Sequence, residues 1–137
     1  MTTNNQKKEI LDLASNFEAF TKRHGWIANY DPESDELSIA TPHLSQNARI
    51  RYADEELAFY ITPNNQIEGI FMEYFKSNFV RHHKNLKKIT SKLISKQSST
   101  LVRLGSDTMK TIAPDLEETL RIILAQRLDL NFPIPGR

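Results

Sequence analysis

The spacing of apolar residues changes twice along this chain, and this change constrains the fold more than any other feature of the sequence. From residue 6 to about residue 23, apolar side chains recur every three or four positions, as they do on one face of a helix: Ile10, Leu13, Phe17 and Phe20. After Gly25 the period becomes two, which is typical of strands. The helical period returns after Ser77. The order along the chain is therefore predicted to be helix, sheet, helices.

The middle of the chain, residues 26–75, is predicted to form an antiparallel β-meander of four or five strands. The turn-forming segment DPES, residues 31–34, divides a first hairpin, and TPNNQ, residues 62–66, divides a later one. Between these turns, Pro42 interrupts the alternation of apolar and polar residues.

Two helices are predicted after the meander. Ser77 is placed to cap a helix over about 78–96, in which Phe79, Leu86 and Leu93 are seven residues apart. Pro114 opens a second helix over about 114–129, because proline is favoured in a first helical turn. The segment TLVRL, residues 100–104, is ambiguous between strand and helix, and the tail 131–137 is predicted to be extended.

Length and composition agree with a single α+β domain over residues 1–137, with its C-terminal helices packed on the sheet. The chain is 39% hydrophobic and 26% charged, which is typical of a globular protein. It has no cysteine, no signal-peptide run and no apolar stretch long enough for a membrane span, so a cytoplasmic protein without membrane contact is predicted. Three apolar helical stripes for one small sheet predict a symmetric homodimer, to which the C-terminal or the basic helix contributes.

Charge is distributed unevenly. The near-neutral total of +1 conceals a stretch, residues 74–106, with eight bases and no acid, whereas residues 1–73 hold twelve acids and six bases. The basic segment, residues 81–96, carries six of these bases: Arg81, Lys84, Lys87, Lys88, Lys92 and Lys96. These six are the candidate binding residues for nucleic acid or an acidic protein partner. The alternative is a solvated helix face whose lysines balance the acidic first half of the chain.

A partial resemblance to a known family covers residues 26–75. The hairpin YDPESDELSI, residues 30–39, and the later IEGIFM, residues 67–72, resemble a family of small bacterial domains of unknown function with a YDxExDxLxI hairpin and an I-x-G-I strand. The resemblance implies an antiparallel meander and, for some members, an association with toxin and antitoxin genes. It implies no catalytic residues, and the long helical flanks of this chain depart from the family pattern.

The sequence identifies no catalytic residue, metal ligand or cofactor site. The acidic run over residues 31–36 lacks the glycine and the later glutamate of a calcium loop, so a solvated hairpin turn is predicted. His82 and His83 are adjacent, so on a helix they diverge by about 100° and do not grip one ion together. The segment LVRLGSDTMKTI, residues 101–112, matches a helix-turn-helix poorly. An enzyme remains open only through residues that are distant in sequence.

The function predicted from the sequence is therefore that of a small, non-enzymatic regulatory or antitoxin-like binding protein. Its basic amphipathic helix would contact nucleic acid or an acidic partner. The alternative is a protein-interaction or oligomerisation module that binds no nucleic acid.

Overall fold

A computed structural model of the chain describes residues 2–53, 56–64, 66–89 and 101–126. The helices are α1 (Thr2–Ser15), α2 (Phe17–Arg23) and α3 (Ser106–Gln126). The strands are β1 (Ile27–Asp31), β2 (Glu36–Ala40), β3 (Arg49–Tyr52), β4 (Leu57–Ile61), β5 (Ile67–Glu73) and β6 (Val102–Arg103). A π-helical turn (Phe75–Val80) and a 3₁₀ turn (Lys84–Ile89) follow β5. The predicted α+β class is confirmed.

The sheet is antiparallel, but its strand order is not that of a simple meander. The order is β3-β4-β5-β2-β1-β6, so the β1–β2 hairpin joins the β3–β4–β5 meander through pairing of β2 with β5. The alternating pattern identified the strands but not their neighbours, because the second edge of β2 is open to any strand that the chain brings to it.

Six strands are present where four or five were expected. The sixth, β6, comes from the segment that the sequence left ambiguous, and it pairs with the outer edge of β1 through Asn29–Arg103 and Tyr30–Val102. A strand of two residues is too short to show an alternating pattern. Its pairing with β1 is what makes it a strand.

The single helix predicted over about 6–23 is two helices that meet at Asn16. Asn16 has φ −141° and ψ 55°, which lies outside the helical region. The break leaves the carbonyls at the end of α1 and the amides at the start of α2 without helical partners. Helix α3 supplies partners for both ends: Glu117 accepts a hydrogen bond from the Phe17 amide (2.7 Å), and Arg121 donates to the Ala14 carbonyl (3.1 Å).

The α-helix predicted over about 78–96 is not formed between residues 75 and 89. The chain instead makes the π-helical turn and the 3₁₀ turn, and the rest of that prediction lies outside the described residues. Tyr74, at φ 54°, turns the chain sharply after β5. Ser77 does not act as the predicted cap. Its amide and hydroxyl both donate to the carboxylate of Asp35 in the β1–β2 turn.

Helix α3 begins eight residues before the position predicted for it, at Ser106 rather than Pro114. Proline inside a helix removes one backbone hydrogen bond. Burial explains why the helix nevertheless continues through it: a stripe at intervals of four is buried on both sides of Pro114, namely Thr108, Ile112, Leu116 and Leu120. The end of the predicted helix and the tail 131–137 lie outside the described residues.

The helices pack on one face of the sheet, and alternate strand residues make the core with them. Buried members from the strands are Ala28, Tyr30, Leu37, Ile39, Leu57, Phe59, Ile61, Ile70 and Met72. Helix α1 contributes Ile10 and Leu13, and α3 contributes Leu116. This arrangement agrees with the predicted packing of helices on the sheet.

The opposite side of the sheet, called here the open face, is built from the other alternate residues. Phe71, Ala58 and Tyr52 follow one another across three strands in one row, and Gly69 and Tyr60 lie in the next. Gly69 faces Ala40 so closely that a side-chain carbon at position 69 would overlap the Ala40 backbone and Cβ. Small residues at the centre of this face therefore allow close strand pairing beside the aromatic rings of Tyr60 and Phe71.

Among the described residues, no helix has both the length and the apolar character required to cross a bilayer.

Candidate functional site

The first part of the basic segment and the turn before it are held against the body of the protein by buried side chains. Phe79 and Val80 enter the core from the π-helical turn, and Leu86 enters it from the 3₁₀ turn with no exposed surface. The 3₁₀ turn also packs against α3. Leu86, one of the apolar residues spaced seven apart in the sequence, is therefore buried, although the backbone around it is not α-helical.

The π-helical turn is fixed at its start by Asp35. The carboxylate of Asp35 accepts hydrogen bonds from the amides of Lys76 (2.7 Å) and Ser77 (3.0 Å), from the Ser77 hydroxyl (2.7 Å) and from the Tyr30 hydroxyl (2.5 Å). Burial alone would raise the pKa of Asp35, but these hydrogen bonds stabilise the carboxylate and hold its pKa below the usual value. Burial and the bond to Asp35 raise the pKa of Tyr30, so its hydroxyl stays a donor at neutral pH.

The acidic run over residues 31–36 is a hairpin turn, as the sequence predicts. It lies between β1 and β2, and the Asp31 carboxylate accepts a hydrogen bond from the Glu33 amide (3.0 Å) within the turn. Together with the bonds of Asp35, this contact shows that carboxylates of the run serve the local structure.

Three of the six predicted binding residues have described side chains, and all three are exposed: Arg81, Lys87 and Lys88. The side chain of Lys84, and Lys92 and Lys96 altogether, lie outside the part of the chain that the structure describes. Arg23 forms an ion pair with Asp12 at 2.6 Å, on the helical side of the molecule. In the described part of the chain, no carboxylate lies within ion-pair distance of the three exposed bases.

His83 meets two carboxylates that are distant in sequence. One of its ring nitrogens, a carboxylate oxygen of Asp115 and a carboxylate oxygen of Glu118 all lie within 4.8 Å of one another. These three residues are called here the His83 cluster. The sequence contained part of the pattern, since Asp115 and Glu118 are three apart on a helix and share a face. It could not show that His83 would lie beside them, because that depends on how the 3₁₀ turn packs on α3.

A cleft lies between α1, the end of α2 and the β4–β5 loop. The cleft has a volume of about 570 Å³, and residues of both charge signs line it, including Lys8, Glu9 and Asp12. Both of these carboxylates are already engaged in the fold. Glu9 accepts a hydrogen bond from the Ile67 amide (3.0 Å), and Asp12 pairs with Arg23. These two carboxylates are therefore less available to a ligand than the exposed bases of the basic segment.

Comparison with known proteins identifies no relative: no family model, no curated protein and no solved structure matches the chain.

Proposed function

We propose that this protein is a small, non-enzymatic binding protein whose basic segment contacts the phosphate backbone of a nucleic acid. The observation that carries the proposal is the exposure of Arg81, Lys87 and Lys88 beside a buried anchor, Leu86, with no described carboxylate in ion-pair range of the three bases. Surface cations release counterions from a nucleic acid when they bind it, which is a favourable contribution. A regulatory or antitoxin-like role is the context in which such binding would act.

The contacts are expected to be with phosphates rather than with bases. Base stacking requires exposed aromatic rings among the cations. The basic segment contains no Phe, Tyr or Trp. Phe75 and Phe79, which precede it, are buried, with their rings stacked on each other at 5.5 Å between centroids. Binding is therefore expected to depend little on sequence and strongly on salt concentration.

A fluorescence anisotropy titration with duplex DNA and with RNA tests this function. The variant carries Arg81→Gln, Lys87→Gln and Lys88→Gln. The matched control carries Arg49→Gln, Lys22→Gln and Lys110→Gln, which remove the same charge from exposed positions elsewhere. We expect the first variant to lose binding while its melting temperature stays close to that of the wild type, and the control to keep binding. The plot of log affinity against log salt concentration should be less steep for the variant than for the wild type, by about 0.9 for each duplex phosphate contact that the variant loses.

Two outcomes would contradict the proposal. One is a wild-type protein with no measurable affinity for DNA or RNA at low salt. The other is an equal loss of affinity in the variant and in its control, because this would show an effect of net charge alone. Binding of an acidic protein without binding of nucleic acid would assign the same residues to a protein partner.

The open face supports a second candidate function, protein interaction or self-association. Two large apolar side chains of the edge strand β3 are substantially exposed there, Ile50 (40%) and Tyr52 (44%). Their neighbours Tyr60 and Phe71 are only partly buried, and their rings lie 6.0 Å apart. Apolar surface of this kind is typical of faces that a partner covers.

A further inference from the structure

The chemistry of the His83 cluster goes beyond polyanion binding and does not depend on it. One imidazole and two carboxylates, supplied by two separate parts of the fold, place three potential ligand atoms within 4.8 Å of one another. These are the donor types that bind divalent transition metals, with Zn²⁺ a common occupant of such mixed nitrogen and oxygen sites. We infer that His83, Asp115 and Glu118 form a binding site for Zn²⁺.

The backbone contact of the His83 ring leaves one ring nitrogen for a metal ion. Its Nδ1 lies 2.7 Å from the carbonyl oxygen of Phe79, and its ring stacks on the Phe79 ring with 4.3 Å between centroids. A carbonyl accepts hydrogen bonds only, so Nδ1 carries the proton and, in the neutral ring, the lone pair is on Nε2. A backbone carbonyl that holds one ring nitrogen while the other binds metal is the usual support of a histidine ligand.

The two carboxylates complement each other in exposure. Asp115 is 9% exposed, whereas Glu118, one helical turn further along α3, is exposed. The site therefore has a buried wall and an open side through which an ion can enter. Zinc–ligand bonds of about 2.0 to 2.2 Å in tetrahedral geometry place ligand atoms about 3.3 Å apart, so small adjustments of the three side chains would draw their ligand atoms together. Three protein ligands would leave a fourth position for water or another small ligand.

His82 provides a matched control within the same turn. Its Nδ1 lies 2.9 Å from the carbonyl oxygen of Asn78, so the ring makes the same type of backbone contact four residues back. Its side chain is exposed and is not part of the cluster. If zinc bound to any accessible histidine, loss of His82 and loss of His83 would weaken zinc binding alike. If the His83 cluster is a formed site, only the loss of His83 weakens it.

Isothermal titration of ZnCl₂ into the full chain, without an affinity tag and after removal of metal with EDTA, tests the site. We expect one saturable site per chain in the wild type and in His82→Ala. We expect His83→Ala and Glu118→Ala to weaken binding by about tenfold or more, in line with the losses seen when the surroundings of a metal are altered. Saturating Zn²⁺ should also raise the melting temperature of the wild type and of His82→Ala, but not that of the two ligand variants.

Glu118→Ala keeps the test decisive if His83→Ala folds poorly, because residue 118 is exposed and circular dichroism in EDTA can confirm its fold. The inference is overturned if the wild type shows no saturable zinc site. It is also overturned if His82→Ala loses as much affinity as His83→Ala, or if a folded Glu118→Ala binds like the wild type. An ordinary ion pair between His83 and the carboxylates predicts the first of these results.

Discussion

At the scale of single residues, Asp35 connects two parts of the protein that are far apart in sequence. It lies in the β1–β2 turn at φ 58°, in the left-handed region, which aspartate tolerates better than most residues. Its carboxylate accepts hydrogen bonds from the amides of Lys76 and Ser77 in the π-helical turn. Its backbone carbonyl accepts a hydrogen bond from the Phe75 amide (3.0 Å). One residue thereby sets both the hairpin and the start of the segment that carries the exposed bases.

Asp35→Asn should destabilise the protein in a pH-dependent way. Asparagine tolerates the same backbone conformation, but its NH₂ group would face the hydrogen-bond donors that now surround the carboxylate. We therefore expect the free energy of unfolding to fall by about 1 to 3 kcal/mol at neutral pH. The folded-state pKa of Asp35 is lower than its ordinary value of 3.8. Its stabilising contribution is therefore complete above that value and is lost as the pH falls through the lower, folded-state pKa.

Urea unfolding from pH 7 to pH 2 measures this difference. The gap in unfolding free energy between wild type and Asp35→Asn should be constant near neutrality and should narrow below about pH 4. Glu33→Gln, on the exposed part of the same turn, is the control and should show little effect at any pH. A gap that does not change with pH would show that the Asp35 charge adds no stability.

At the scale of secondary-structure elements, the break between α1 and α2 depends on α3. The residue at the break, Asn16, is neither glycine nor proline, and the apolar spacing continues across it through Leu13, Phe17 and Phe20. Two side chains of α3 bind the helix ends exposed by the break, with the Glu117 carboxylate at the positive end of α2 and the Arg121 guanidinium at the negative end of α1. The two helices can therefore change direction without leaving these groups unpaired.

Glu117→Ala should destabilise the protein more than Glu118→Ala. Both changes replace glutamate with alanine in the same helix, so their effects on helix propensity are similar. Only Glu117 accepts the hydrogen bond from Phe17, and its loss should cost about 1 to 2 kcal/mol. Chemical denaturation in EDTA, which removes any contribution from bound metal, measures the difference. Equal unfolding free energies for the two variants would exclude a capping role for Glu117.

At the scale of the whole molecule, the sheet has one side covered by helices and one side with exposed apolar residues. Tyr52 donates a hydrogen bond to the Glu73 carboxylate on the open face (2.5 Å), and this bond, with partial burial, raises the pKa of Tyr52 to about 12. Edge strand β3 also carries Arg49 and Arg51, and charge at an edge discourages uncontrolled strand addition. A face-to-face partner suits this surface better than an added strand.

We expect the open face to form a symmetric dimer. Sedimentation equilibrium at micromolar concentration should give about twice the chain mass of 15.8 kDa. Ile50→Arg should shift the protein to the monomer, because it would bury a charge between the two faces. Leu44→Arg, at a similarly exposed apolar position (41%) in the β2–β3 loop, should not. A wild type that sediments only at 15.8 kDa would refute the dimer.

Local patterns along the chain were sufficient to predict the α+β class and most of the strands. These features follow from periodicity, since a side chain's face is set by its own helix or strand. Likewise, the absence of acids from residues 74–106 is a property of composition alone and requires no structure.

Long-range contacts, in contrast, set the pairing of β2 with β5, the break at Asn16, the turns at 75–89 and the meeting of His83 with Asp115 and Glu118. Each of these features depends on residues that are distant in the chain. In each case a remote strand or side chain offered hydrogen bonds or burial that outweighed the local preference, and apolar spacing carries no information about such partners.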